Sequence, residues 1–175
     1  AAMLYAPAVM KALGTTNIFS ASTVDQRPKE VVGGLMFGGY TMAVPDIDRT
    51  DFLLCLGANP FASNGSLATA PDWPGRLERI IERGGEVVVV DPRRTRTAEA
   101  ATQWIAIRPG TDALLLAAVA NVLVTDGLAA PGRLADLVSG YDDAVAVLTG
   151  FTPEAVAPVT GVDAATIRDL ASRLA

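Results

Sequence analysis

The chain has 175 residues, 50% of them hydrophobic and 19% charged, which suits about one folded domain with a substantial core and argues against disorder. Its 14 basic and 19 acidic residues give a net charge of −5, which disfavours a nucleic-acid partner because such a partner needs a basic face. With no histidine and one cysteine, Cys55, the chain cannot form an internal disulfide, a Cys/His metal site, a Ser-His-Asp triad or a Cys-His pair.

The first 40 residues predict two helices joined by a polar loop. A partial apolar stripe indicates a helix over Met3 to Leu13, whose start Pro7 is expected to delay. A loop rich in Ser, Thr and Asn follows over 14–27, and Pro28 then opens a short helix toward Phe37.

Neither end of the chain carries a targeting or membrane signal. No apolar run reaches the roughly 18–20 residues that a bilayer requires, and no positive cluster precedes the first apolar stretch. The chain starts without such a signal and stops at the end of a helical pattern. We therefore expect no membrane segment in this chain and an internal piece of a longer chain; these residues leave the compartment open, with the cytoplasm favoured over export.

Three apolar runs predict strands. Asp51 to Gly57 (DFLLCLG) indicates a strand buried on both faces, Glu86 to Val90 contains four consecutive valines, and Gln103 to Ile107 alternates in polarity. Ala58 to Asp72 is expected to be a long loop. The helical patterns are Pro74 to Arg83, Thr97 to Ala101, and the strongly apolar Asp112 to Val124, which we expect to be covered on both sides.

This alternation of strands and helices predicts an α/β fold, a three-layer Rossmann-like domain with a mostly parallel sheet and right-handed crossovers. Short helices separated by Gly and Pro follow, and we expect them to pack on the sheet as a C-terminal helical appendix. We assign residues 1–175 to a single domain with an N-terminal helix and loop (1–27), a sheet core (28–124) and the appendix (125–175).

Open parallel sheets bind ligands beyond the carboxyl ends of their strands, and three loops with suitable groups lie there. The first loop, Gly57 to Pro60, offers main-chain amides near a glycine, together with the side chains of Asn59, Ser63 and Asn64. The second, Asp91 to Thr95, offers a carboxylate for ribose hydroxyls and guanidinium groups for phosphate. The third, Pro109 to Asp112, offers a carboxylate that can accept two parallel bonds from guanine.

Each loop also has a structural explanation, which the residues alone leave open. Gly57 can simply end a strand and Asn59-Pro60 can form a turn, while the arginines after Asp91 can form a solvated face. Thr111 or Asp112 can cap the following helix. The glycines match neither G-x-G-x-x-G nor a P-loop, which disfavours an NAD-binding fold and a P-loop NTPase. We expect three further residues to be packing residues: Cys55, Trp73 and Trp104.

The three loops, in this order, resemble the molybdopterin oxidoreductase superfamily of formate dehydrogenase, nitrate reductase and dimethyl sulfoxide reductase. The matching runs are LCLGANP (54–60), VVVVDPRRTRTA (87–98) and IRPGTDALLL (107–116), and TPEAVAPVTGVDAATIRDLA (152–171) resembles the family segment that follows. The resemblance implies a domain that holds one of two molybdopterin guanine dinucleotides around a molybdenum or tungsten atom.

The resemblance also implies site residues. The pyrophosphate side would be lined by Leu56, Gly57, Ala58, Asn59, Pro60 and Ser63. The guanosine would meet Asp91, Pro92, Arg93, Arg94 and Thr95, with Asp91 near the ribose, and the guanine end would meet Gly110, Thr111 and Asp112. The loop GTTNIFSASTVD (14–25) is similar in place to a family loop near the pterin but departs from its N-x-R-x-C form. Ser22 and Asp25 are the candidates there.

Two parts of the family are absent from these 175 residues: the cysteine cluster for an iron–sulfur centre and the segment with the protein ligand to the metal. The resemblance therefore implies an internal domain of a larger oxidoreductase, inactive alone, without catalytic residues or metal ligands of its own. Its expected partners are the remaining domains and electron-transfer subunits, and formate oxidation is the candidate reaction. Two alternatives remain open: a pterin-free structural domain, as in the large iron–sulfur subunit of NADH dehydrogenases, and an unrelated nucleotide-binding domain.

Overall fold

The structure, a computed structural model, describes residues 2–17, 19, 21, 24, 26–39, 41, 44–65 and 70–175. They belong to two compact units, Ala1–Ala43 and Val44–Ala175. The candidate residues Ser22 and Asp25 lie outside the described residues.

The N-terminal unit contains the two predicted helices. Helix α1 spans Ala2–Leu13 and helix α2 spans Arg27–Phe37. Pro7 lies inside α1, so the expectation that it delays the helix start is wrong; the helix accommodates it at the cost of one main-chain hydrogen bond. Helix α2 ends at Gly38, whose φ of 75° is left-handed.

The C-terminal unit begins with a strand and alternates strands with helices up to its third strand. Strands β1, β2 and β3 form a parallel sheet in that order, with Leu54 opposite Val88 and Val89 opposite Trp104. This arrangement confirms the predicted α/β fold. In chain order the elements are β1 (Phe52–Leu56), α3 (Pro60–Ser63), α4 (Trp73–Glu82), β2 (Glu86–Val90), α5 (Arg96–Ala100), β3 (Gln103–Ile105), α6 (Asp112–Thr125), a 3₁₀-helix (Gly132–Leu137), α7 (Tyr141–Leu148), α8 (Pro153–Thr160) and α9 (Ala164–Leu174).

Helices cover both faces of the sheet, because side chains of a strand alternate between its faces. Val88 and Val90 point to one face and pack with α6, α8 and α9. Val87 and Val89 point to the other face and pack with α4 and α5. The core on the first face includes Leu115, Val156, Ile167 and Leu170, and the core on the second includes Trp73, Leu77, Ile80 and Ala98.

Three details differ from the sequence expectations. Strand β1 is half-buried along its whole length rather than buried on both faces, because β2 is its only neighbour among the described strands. The expected loop 58–72 contains the short helix α3. Helix α6 is not covered all round, since Leu116 is 42% exposed.

Arg173 in the last turn of α9 connects the first residues of all three strands. Its guanidinium donates to Glu86 Oε2 and to Gln103 Oε1, both at 2.5 Å, and lies 5.5 Å from the ring centroid of Phe52. Asp169, one turn earlier, completes the cluster at 2.8 Å. We call this end of the sheet the amino edge; the appendix is anchored to the sheet there.

None of the helices in the described part of the chain combines the length and the apolarity needed to cross a membrane.

Candidate functional site

The loops that follow β1 and β2 start side by side. Leu56 pairs with Val90 at the ends of these strands, and the Gly57 N–H donates to the Val90 carbonyl at 2.9 Å. Gly57 has φ 56°, a left-handed conformation that glycine adopts at little cost. We call the region formed by 57–60, 91–95 and 106–112 the carboxyl edge of the sheet.

A buried threonine holds the first loop. The Thr97 side chain in α5 is fully buried, and its hydroxyl donates to Asn59 Oδ1 at 2.7 Å. The same Oγ1 accepts the main-chain N–H of Phe61 at 3.1 Å. The Asn59 side chain is half-buried, and its amide nitrogen donates to no other described residue. Among the described residues, this NH₂ group therefore has no partner and can donate to a ligand.

Asp91 occupies the centre of the carboxyl edge, directly after the middle strand. Its side chain is 8% exposed, and Oδ1 accepts the main-chain N–H of Arg93 at 2.8 Å. Its carbonyl accepts the indole N–H of Trp104 at 2.9 Å. One carboxylate oxygen thus shapes the loop, as the structural explanation requires, and Oδ2 has no donor among the residues that the structure describes.

The second loop carries cations without acidic partners. Arg93, Arg94 and Arg96 are exposed, and none of them takes part in the ion pairs formed by described residues. The guanidinium of Arg94 lies 5.8 Å from the ring centroid of Trp104, within cation–π distance. In a chain of net charge −5, these arginines place positive charge next to the carboxylate of Asp91.

Several predicted site residues use their side chains within the protein. The buried Thr95 hydroxyl caps α5 by accepting from Ala98 N at 3.2 Å, and the Ser63 hydroxyl donates to the Asn59 carbonyl at 3.3 Å. Leu56 packs against the core, and Pro60 is buried at the start of α3. These side chains therefore support the loops rather than offering polar groups to a ligand.

Cys55 fits a packing role. Burial raises the pKa of its thiol, and the negative charge of Asp91 raises it further. Its Sγ contacts the Ala58 carbonyl at 3.4 Å. The thiol therefore stays protonated at neutral pH, which is unsuited to a nucleophile.

The third loop is held by the appendix. The main-chain N–H of Arg108 donates to the Thr160 carbonyl at 2.8 Å, and its guanidinium donates to the carbonyls of Pro158 at 3.0 Å and Val159 at 2.5 Å. Gly110 turns the chain with φ 79°. The loop thus rests on the C-terminal end of α8.

Asp112 begins α6 and is half-buried. Its carboxylate accepts no hydrogen bond from the residues described. Thr111 precedes α6 without capping it, since its hydroxyl donates to the Arg108 carbonyl at 2.7 Å. The capping explanation for Thr111 is therefore wrong, and the amides of the first turn of α6 lack a side-chain cap from this residue.

The structure joins the first two loops more closely than the third. Thr97 links Asn59 to α5, and Asp91 lies close enough to Cys55 to influence its ionisation. The third loop follows β3, the other neighbour of β2, but no hydrogen bond between described residues joins it to Asn59 or Asp91. Sequence reasoning missed the roles of Thr97, Trp104 and Arg108.

A parallel sheet covered on both faces, with polar loops at its carboxyl edge, defines an α/β domain of the kind that binds nucleotides. A family model described as molybdopterin oxidoreductase matches residues 2–155. The chain belongs to the molybdopterin oxidoreductase family.

Similar proteins include formate dehydrogenase H of Escherichia coli (strain K12), 30% identical over 163 residues, which cover 91% of this chain and 22% of that protein. The molybdopterin-containing subunit of the arsenate respiratory reductase of Chrysiogenes arsenatis is 28% identical over 188 residues, covering 94% of this chain and 22% of the subunit. Among solved structures, acetylene hydratase from Pelobacter acetylenicus superposes with a TM-score of 0.74 at 29% identity, covering 93% of this chain and 21% of that chain. The chain spans about a fifth of the length of these relatives.

Membership of the family implies a molybdenum or tungsten pterin cofactor. The donor set of the carboxyl edge fits the polar, anionic part of such a group. It provides the Asn59 NH₂ group, one Asp91 carboxylate oxygen and the guanidinium groups of Arg93 and Arg94, for none of which the described part of the chain supplies a hydrogen-bond or acidic partner.

Proposed function

We propose that this chain holds the guanosine diphosphate tail of one molybdopterin guanine dinucleotide in a molybdenum or tungsten oxidoreductase. The observation that carries the proposal is the pair Asn59 and Asp91. They follow adjacent parallel strands, and each keeps one polar group free of protein partners in the described part of the chain.

The first loop suits the pyrophosphate. The main-chain N–H groups of Ala58 and Asn59, which make no hydrogen bond to described residues, and the Asn59 NH₂ group are donors, as phosphate oxygens require. Arg93 and Arg94 add positive charge from the second loop, and guanidinium groups bind phosphate oxygens through parallel hydrogen bonds. We assign these residues to the two phosphates.

The second and third loops suit the nucleoside. Asp91 Oδ2 can accept from a ribose hydroxyl while Oδ1 remains bonded to the Arg93 N–H. In our proposal the Asp112 carboxylate accepts the two adjacent N–H groups of guanine, with Gly110 and Thr111 forming the wall of that pocket. The bonds of Thr111 and Arg108 support the loop without using Asp112.

The role of the chain is then positional. The bound cofactor supplies the metal centre for two-electron chemistry. The residues of this chain fix the tail through many hydrogen bonds, so that its far end stays aligned with groups from other parts of the protein. Those parts, and electron-transfer subunits, are the proposed partners, and formate oxidation is the proposed reaction.

The proposal is tested on the native protein that contains this chain. Acid extraction should release guanine nucleotide together with molybdenum or tungsten, and cofactor-free protein should bind GDP more tightly than NAD in calorimetric titrations. A protein with the metal but without guanine nucleotide would contradict the tail assignment. Absence of both the metal and guanine nucleotide would favour the pterin-free structural domain. Equal binding of GDP and NAD would favour an unrelated nucleotide-binding domain.

The base end has its own test. Asp112→Ala should weaken GDP binding about 10- to 100-fold, since two guanine donors lose their acceptor, equivalent to ~1–3 kcal/mol. Asp126→Ala, at the opposite end of α6, is the matched control and should bind GDP like the wild type. Unchanged affinity of Asp112→Ala would remove Asp112 from the site.

A further inference from the structure

We infer that Thr97 is a positioning residue that orients the Asn59 carboxamide so that its NH₂ group faces the proposed pyrophosphate site. This inference rests on the proposed function and adds a residue that does not itself touch the ligand. It starts from the contact between Thr97 Oγ1 and Asn59 Oδ1, at 2.7 Å.

The hydrogen-bond network fixes which end of the carboxamide meets Thr97. The Phe61 main-chain N–H can only donate, and it donates to Thr97 Oγ1 at 3.1 Å. The single hydroxyl hydrogen of Thr97 is then free to donate to an acceptor, and the acceptor within reach is Asn59 Oδ1. The carboxamide oxygen is therefore turned toward α5, and the NH₂ group is turned away from it.

Because Thr97 is fully buried, its hydroxyl needs hydrogen-bond partners within the protein. The residue is 0% exposed, and its side chain lies between α3 and α5. An unpaired hydroxyl at such a position would be costly, and a valine of the same shape would fill the space without that cost. Its hydroxyl makes both of its bonds to the first loop, which is 36 to 38 residues away in sequence.

Other hydrogen bonds hold the main chain of the first loop, such as that from the Gly57 N–H to the Val90 carbonyl, but among the described residues only Thr97 holds the Asn59 carboxamide. Helix α3 has four residues, too few to be stable by itself, and Asn59 makes no side-chain cap to it. Without the Thr97 hydroxyl, the carboxamide could rotate and present its oxygen to a phosphate. The loss of Thr97 should therefore weaken anion binding through Asn59.

The experiment is a double-mutant cycle in the native protein after removal of its cofactor, with GDP as the titrant. Thr97→Val keeps the shape and removes the hydroxyl, and we expect it to weaken GDP binding roughly fivefold to tenfold. Thr97→Ser restores the hydroxyl and should restore most of the affinity. In an Asn59→Ala background, Thr97→Val should have no further effect, because the residue acts through Asn59.

Wild-type affinity in Thr97→Val, or equal losses in both backgrounds, would overturn the inference while leaving the proposed function intact. A wild-type protein that does not bind GDP would instead refute the proposed function. If Thr97→Val does not fold, the GDP affinity of Asn59→Asp is measured instead. The aspartate can still accept the hydrogen bond from Thr97, but a charged oxygen replaces the NH₂ donor of Asn59. This variant should lose at least as much affinity as Asn59→Ala, and wild-type affinity would overturn the inference.

Discussion

Arg173 at the amino edge and the arginines of the second loop at the carboxyl edge have opposite roles. At the amino edge, Arg173 contacts Glu86, Gln103 and Asp169 and stacks on Phe52. At the carboxyl edge, Arg93 and Arg94 have no acidic partner among the described residues. Arg173 therefore supports the fold, as Arg108 does at the carboxyl edge, whereas Arg93 and Arg94 remain available to a ligand.

This difference suggests a simple criterion for separating structural charge from functional charge. A cation paired with carboxylates of its own protein, as Arg173 is, contributes to stability, whereas a cation without an acidic partner suits an anionic ligand. Stability and binding should consequently respond to different substitutions, and the experiments on Asp91, Arg173 and Arg93 measure both.

The largest effect is expected at Asp91. Asp91→Ala removes the proposed ribose acceptor and the bond to the Arg93 N–H, and it should weaken GDP binding about 10- to 100-fold, or ~1–3 kcal/mol. Asp91→Asn is the matched control, because its side-chain oxygen can still accept from Arg93. Calorimetry should show a similar loss of affinity in Asp91→Asn without a loss of thermal stability; full affinity there would mean that Asp91 only shapes its loop.

Arg173→Ala should lower local stability without changing GDP affinity. Loss of the ion pairs, the hydrogen bond to Gln103 and the stacking on Phe52 should cost about 1–2 kcal/mol. Hydrogen–deuterium exchange should then accelerate about 5- to 30-fold in peptides from α9 and from the starts of the strands. Arg173→Lys keeps the charge but loses the planar group, so its exchange rates should lie between those of the wild type and Arg173→Ala. A change in GDP affinity in Arg173→Ala would contradict the assignment of Arg173 to the fold alone.

Arg93→Ala should show the reverse pattern. It should weaken GDP binding about two- to fivefold and reduce the salt dependence of binding, with unchanged exchange in the sheet. Arg133→Ala, an exposed arginine in the 3₁₀-helix, serves as the control and should leave both properties unaltered. Faster exchange in Arg93→Ala would assign this arginine to the fold.

The smallest effect concerns pH. Burial raises the pKa of the Cys55 thiol above its ordinary value of 9.0, so the folded state binds this proton more tightly than the unfolded state. Stability is then unaffected below about pH 9 and falls as the pH rises from there through the folded pKa. Thermal unfolding between pH 7 and 10.5 should be less pH-dependent in Cys55→Ala. Equal pH dependence in the two proteins would show that the thiol is not desolvated.

The strands, the helices and the placement of the three loops could be predicted because each depends on local pattern. The valine run 87–90 predicts a buried strand, and the apolar pattern after Gly110 predicts α6. Family resemblance then marked Asn59, Asp91 and Asp112 as site residues, and their ligand-binding roles stay predictions. The assignment of residues 1–175 to a single domain also stays a prediction.

The sequence could not predict contacts between residues that lie far apart along the chain. Thr97 meets Asn59 across 38 positions and Arg173 meets Glu86 across 87, and both pairings depend on the strand register and on helix packing rather than on periodicity. The half-burial of β1 had no local signal either, because a run of apolar residues does not state whether a strand has one neighbour or two.

Because Arg108 donates hydrogen bonds to carbonyls of α8, the third loop is held by the appendix, whereas the first loop is held by α5. Displacement of Pro158, Val159 or Thr160 would move Gly110 and Asp112 with them, whereas the loop at Asn59 would stay with α5. A ligand that contacts both loops would thus have each end held by a different part of the chain. A substitution in the appendix that shifts α8 would move the residues around one end of the ligand and leave those around the other end in place.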